Sequence, residues 1–140
     1  KGFLSWMRLQ PSRLYEGIYE IFELLLEDIL AMGTDPVVVE GMVISPMAAV
    51  EVSSMDRIVC LTGTDDFLRL QEPNHPFVKR SYSEWDDPET ALNTLIEGHI
   101  QITHMYDTVS GELGIRHIVT DQTTGFEENL RQVEKHFGLI

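Results

Sequence analysis

Asp35-Pro36-Val37-Val38-Val39-Glu40-Gly41 is the stretch on which the fold reading turns. Three β-branched residues follow a proline without a polar interruption, the pattern of a short strand buried on both faces, as in a parallel sheet flanked by helices. The run ends in a carboxylate and a glycine. Open α/β sheets bind their ligands at that point, outside the carboxyl ends of the strands.

Working outward, a helix is predicted from Ser12 to Met32, with Ser12 as its cap and Gly33 as its left-handed stop. Leu14, Ile18, Ile21, Phe22, Leu25, Ile29 and Leu30 form its apolar face, opposite Glu16, Glu20, Glu23 and Glu27. Beyond Gly41, Ser45-Pro46 opens a short helix through Met47–Val52. A second strand covers Arg57–Leu61, followed by a helix capped by Thr64 or Asp65 and running through Phe67 and Leu70. Pro73-Asn74-His75-Pro76 marks a loop, Phe77–Trp85 a short helix, and Asp87-Pro88-Glu89 the start of a long one. Gly111 and Gly114 bracket its exit into a third strand, Ile115–Thr120. Thr124-Gly125-Phe126-Glu127 has capping-box spacing and opens a last helix, its apolar side Phe126, Leu130, Val133 and Phe137, stopped at Gly138. The order predicts an α/β fold: a three-layer parallel sheet flanked by helices, within one domain over residues 1–140.

Composition narrows the partners. The chain has 140 residues, 43% of them hydrophobic, and a formal net charge of -13, which places it among ordinary globular proteins with an acidic surface. Such a charge argues against nucleic-acid backbones, which are held by Lys and Arg, and against anionic membrane surfaces. No stretch approaches 18 apolar residues and no signal-peptide pattern is present, so a cytoplasmic location is expected. Cys60 is the only cysteine and sits in the apolar run Ile58-Val59-Cys60-Leu61, the setting of a buried small hydrophobe.

From about Leu9 onward the chain resembles the C-terminal two-thirds of the P-loop small-molecule kinases, the nucleoside- and nucleotide-kinase-like group. The residues that carry the resemblance are the long helix entering Val37-Val38-Val39-Glu40-Gly41, the segment Leu61-Thr62-Gly63-Thr64-Asp65-Asp66-Phe67, the stretch from Asn74-His75-Pro76-Phe77-Val78 through Asp87-Pro88-Glu89-Thr90-Ala91-Leu92, and Val119-Thr120-Asp121 before the last helix. The resemblance implies a P-loop NTPase-like fold, a lid-like helical region over 72–110, ATP and magnesium as cofactors, and a small-molecule substrate. Glu40 would take the acidic position that holds magnesium or orients the acceptor, where a carboxylate is needed because the ion neutralises charge developing on the phosphates. Lys79 and Arg80 would be lid cations on the phosphates. Asp121, Gln122 and Thr123 would contact the nucleotide base, in competition with a plain loop and helix cap.

The chain departs from that family in two places. It has no glycine-rich phosphate loop ending in Lys-Ser/Thr, and Lys1-Gly2-Phe3-Leu4-Ser5-Trp6 offers a single glycine. In the long lid helix, Glu97-Gly98 stands where the family commonly has a basic residue followed by an acidic one. The family's first strand also lies between those matching Val37–Val39 and Arg57–Leu61. Without it the two would stand about 9.6 Å apart, two strand spacings, with unpaired backbone groups costing about 1–3 kcal/mol each. The chain begins with Lys1 rather than Met, and the expectation is a fragment or partial form, inactive alone, completed by an N-terminal segment or by a homo-oligomer.

The alternative is a non-catalytic α/β binding or assembly module that has lost the phosphate loop. A third reading is a small enzyme using Cys60 or a histidine. His75, His99, His104, His117 and His136 lack zinc spacing, His99 and His104 being five apart, and no serine has a G-x-S-x-G setting. Trp6 and Trp85 are expected to serve packing.

Overall fold

A computed structural model of the chain describes residues 11–33, 37–83 and 85–140. Trp6, Asp35 and Pro36 lie outside the described residues, as do the side chains of Ser12, Leu14 and Ile18. The chain is mixed α/β, mostly helical, with a two-stranded parallel sheet.

Helix α1 covers Pro11–Ala31 and α2 covers Pro46–Val52, with proline at the first helical position after Ser45. A 3₁₀ turn, Met55–Arg57, occupies the expected start of the next strand and moves β1 to Val59–Gly63. Helix α3, Asp65–Gln71, is capped by Thr64, whose hydroxyl accepts from the Phe67 amide at 3.3 Å. A second 3₁₀ turn spans Glu72–Asn74, and α4 spans Pro76–Ser83. Helix α5, Pro88–Leu113, starts at Asp87, whose carboxylate accepts from the Thr90 amide at 3.1 Å. Its end is a Schellman closure: Gly114 takes φ +72°, its amide donates to Gly111, and the Ile115 amide donates to Ser110. Strand β2 is Arg116–Thr120 and helix α6 is Phe126–His136.

The long helix organises two cores. Near its carboxyl half, Ile102 and Tyr106 pack with Cys60 and Ile115, joined by Val50, Ile58, Met105 and Leu113. Near its amino half, Ala91 and Leu95 enclose Val78 of α4, with Tyr82 and Leu92 at the margin. The two clusters lie on the order of 16 Å apart along the axis at 1.5 Å per residue. β1 and β2 run parallel with Cys60 opposite His117 and Gly63 opposite Thr120. α5 covers the face carrying Cys60. α6 covers the other face over β2, where Asn129 donates to Thr120 Oγ1 at 2.8 Å and Arg116 to Gln132 at 3.2 Å.

The expectation for the valine run is corrected. Residues 37–40 form no strand, and Val38 is 94% exposed. A strand persists only with a ladder partner. β1 is paired along one edge by β2, and among the described residues nothing pairs with its other edge. Propensity without a neighbour leaves the valines in irregular, solvated chain. The same shortage of cover leaves Leu61 52% exposed on the β1 face that α6 does not reach. Leu24, Leu25 and Leu30 of α1 are exposed as well, and among the described side chains of its apolar face only Phe22 is fully buried. Trp85, expected in packing, is exposed too, and so are Phe126, Leu130 and Phe137 of α6.

Candidate functional site

The carboxyl ends of β1 and β2 meet at the Gly63–Thr120 pair, and the Thr64 amide donates to the Thr120 carbonyl at 2.9 Å. Two segments leave from this point: α3, and the loop Asp121-Gln122-Thr123-Thr124. Gly63 lies close under α3, so a side chain there would push Phe67 and Leu68 aside. A Cβ there would come within 2.9 Å of Phe67 Cδ1 and 3.2 Å of Leu68 Cδ2.

Contacts along α5 fix where the remaining pieces lie. Asp107 sits beside His117, His104 pairs with Asp65 at 2.7 Å, Glu97 pairs with Arg69, and Leu95 and Ala91 hold Val78. Moving from the sheet past its carboxyl edge therefore follows α5 backwards to α4. Lys79 and Arg80, on the exposed surface of α4, stand on the side of the sheet where open α/β folds bind ligands.

Asp121 and Thr123 are brought together. The Asp121 Oδ1 atom accepts from the Thr123 amide at 2.7 Å and hydroxyl at 2.8 Å, and from the Thr124 amide and hydroxyl at 2.7 and 2.8 Å. Hydrogen bonds from Thr123, then Thr124, hold the Asp121 carboxyl down at about 2. This carboxylate shapes the loop it belongs to. The capping-box expectation shifts by one residue: α6 starts at Phe126 with Gly125 as its cap, and the Gly125 position has no side chain to bond. Glu40 lies in the exposed segment after the valines, apart from the Asp121 loop in sequence and in secondary structure.

At Glu97-Gly98 the structure forms an ion pair. Arg69 of α3 donates to Glu97, and several acidic neighbours help keep the guanidinium charged. Gly98 is buried in α5. The Arg69 guanidinium thus reaches this part of α5 from α3, already engaged by a carboxylate. The 3₁₀ turn after α3 adds a second tie to α5, His99 on Glu72 at 3.1 Å.

One constellation has no sequence signature. Thr62, Asp107 and His117 converge between β1, α5 and β2, with His117 Nε2 2.6 Å from Thr62 Oγ1 and 2.9 Å from Asp107 Oδ1. Both contacts fall on the same ring nitrogen. A nucleophilic triad needs the nucleophile on one nitrogen and the carboxylate on the other, so this arrangement does not relay a proton; its hydrogen bond, Thr62 to His117, ties β1 to β2. Cys60 lies nearby and is buried. Burial pushes its thiol up, with Ser110 pulling the other way and Asp107 adding to the rise, so it is held as a thiol rather than a nucleophilic thiolate. Among the described residues no group of three or more His, Cys, Asp or Glu side chains could hold a metal ion, and no helix is long and apolar enough to cross a membrane. Comparison with protein-family models, curated proteins and solved structures finds no match to this chain.

Proposed function

We propose that this chain is the C-terminal portion of an ATP-dependent P-loop kinase-like protein that phosphorylates a small molecule, inactive until a strand and phosphate loop are supplied beside β1. The observation that carries the reading is the one-sided sheet. Among the described residues β1 has a ladder partner on one edge only, Leu61 is exposed, and a Val-Val-Val run with strand composition lies exposed in the preceding segment. A parallel strand inserted between Val37–Val39 and β1 would pair both and cover the apolar side chains. At about 25 cal/mol per Å² of apolar surface, that burial favours assembly. The inserted strand belongs to the three-layer P-loop arrangement, and its following loop would lie at the carboxyl edge shared by Gly63 and Thr120.

In that assembly Glu40 ends the completed strand beside the phosphates. Its carboxylate would take magnesium, whose chemistry is to neutralise charge on the phosphate oxygens. Lys79 and Arg80 approach from α4, and the Asp121–Thr123 loop borders the nucleotide. The test is phosphotransfer from ATP to small-molecule acceptors by the native full-length protein, against its Glu40→Gln variant. Because Glu40 is exposed and irregular in this chain, the variant should keep the wild-type melting temperature while losing about 100-fold or more in kcat. An unaltered kcat would remove Glu40 from the chemistry.

A second reading, a non-catalytic assembly module, draws on the Arg69–Glu97 pair, which ties the α3 cation nearest to Glu97 to a carboxylate instead of leaving it for phosphate. It predicts tight association through the same open edge with no ATP turnover in the completed protein.

A further inference from the structure

At the opposite end of the sheet, β2 begins with Arg116, and the last turns of α6 pass in front of it. Arg116, Arg131, Lys135 and His136, with Glu128, Gln132 and Ile140, line a cleft of about 620 Å³. Three of the ten Lys and Arg residues of a chain with net charge -13 thus meet in one concavity. Lys135 and His136 alone would be ordinary complements to the partial negative charge at a helix C-terminus. Arg116 belongs to a strand and Arg131 to the middle of α6, so helix-end electrostatics does not account for them.

Their partners leave positive charge over. Glu128 is used twice: its Oε2 accepts from Arg131 at 2.6 and 3.2 Å, and its Oε1 accepts from Gln132 at 3.4 Å. Arg116 Nη2 donates to the neutral amide oxygen of Gln132. Lys135 makes no ion pair with any described residue. His136 Nε2 is buried and has no hydrogen-bond partner among the described residues. Asp56, which feels the His136 charge, has its carboxylate engaged by Ser54. Two cations of the lining, Arg116 and Lys135, thus have no carboxylate partner among the described residues, and an anion with several acceptor oxygens is what they would take.

We propose that this cleft binds a phosphorylated small molecule, with the phosphate held by Arg116 and Lys135. The volume falls in the range of small-molecule sites and exceeds what inorganic phosphate alone needs, and Ile140 supplies an apolar wall for the organic part. The cleft opens at the amino end of β2, so it is separate from the carboxyl-edge site and does not depend on the kinase reading.

The test is a titration of the 140-residue chain with glycerol 3-phosphate, followed by backbone amide NMR and calorimetry, with glycerol, inorganic phosphate and succinate as comparisons. Saturable binding with Kd below about 1 mM is expected for glycerol 3-phosphate, with shifts centred on Arg116, Gln132, Lys135 and His136. Inorganic phosphate should bind the same residues more weakly, and glycerol should not bind. Lys135→Gln, at an exposed position, and Arg116→Gln should each weaken binding about tenfold or more, as expected for losing a charge-assisted contact, while Lys79→Gln changes nothing. Melting curves of each variant separate lost binding from lost fold. Unsaturable shifts, or shifts that survive Lys135→Gln in a folded protein, overturn the proposal. Succinate binding as tightly as glycerol 3-phosphate overturns the assignment of a phosphate.

Discussion

Thr62 Oγ1 and His117 Nε2 lie 2.6 Å apart on the face of the sheet that α5 covers, joining β1 to β2 through side chains as well as through the backbone ladder. Asp107 of the long helix stands 2.9 Å from the same nitrogen, but its Oδ1 makes no hydrogen bond among the described residues. Thr62→Val removes the hydroxyl from a buried position at nearly constant volume. It should lower unfolding free energy by about 1 kcal/mol. In a double-mutant cycle with His117→Ala, the coupling energy should be at least about 0.5 kcal/mol. Additive losses would mean that the pair contributes nothing jointly.

The Asp121 loop has a defined acid dependence. Its carboxyl titrates at about 2 in the folded chain against a reference of 3.8, because Thr123 and Thr124 donate to the charged form. A depressed folded value stabilises the fold fully above the unfolded pKa and loses that contribution as pH falls through the folded one. Asp121→Asn should therefore narrow its stability deficit relative to wild type as pH falls from about 4 to about 2. A deficit constant across that window, measured by denaturant unfolding, would show that the loop does not depend on this charge.

Leu95 and Val38 make a contrasting pair of apolar residues. Leu95 is fully buried between α4 and α5, and Leu95→Ala should cost about 2–5 kcal/mol. Val38→Ser in the same 140-residue chain should stay within about 0.5 kcal/mol of wild type. In the native full-length protein the Val38 substitution should become destabilising, since the proposed strand would bury it.

Cys60 should resist modification. The folded chain at neutral pH is expected to react with a thiol reagent only as fast as it opens, and completely once unfolded in denaturant. Immediate stoichiometric reaction of the folded protein would contradict a buried, protonated thiol and revive the reading of Cys60 as a nucleophile.

Local chemistry made much of the fold legible. Thr64 and Asp87 mark helix starts by side-chain caps, Pro46 after Ser45 marks one by its place in the first turn, and Gly114 and Gly138 take the positive φ of helix stops, so these boundaries were readable residue by residue. The Asp121–Thr123 association is equally local. The valine strand was not decided locally, because Val37–Val39 specifies a strand only if another segment offers a ladder, and no described residue does so. The Thr62–Asp107–His117 cluster and the cleft at Arg116 were invisible for a related reason: each brings together residues far apart in sequence through a parallel pairing and a helix crossing that no spacing encodes.

The central claim is that a phosphate-binding strand and loop complete the open edge of β1. The most direct measurement is the intact mass and N-terminal sequence of the native protein from its source. A larger protein carrying a G-x-x-x-x-G-K-[ST] segment upstream of Lys1 is the expected result. A native chain whose N-terminus lies at or near Lys1, with no such segment, would contradict it.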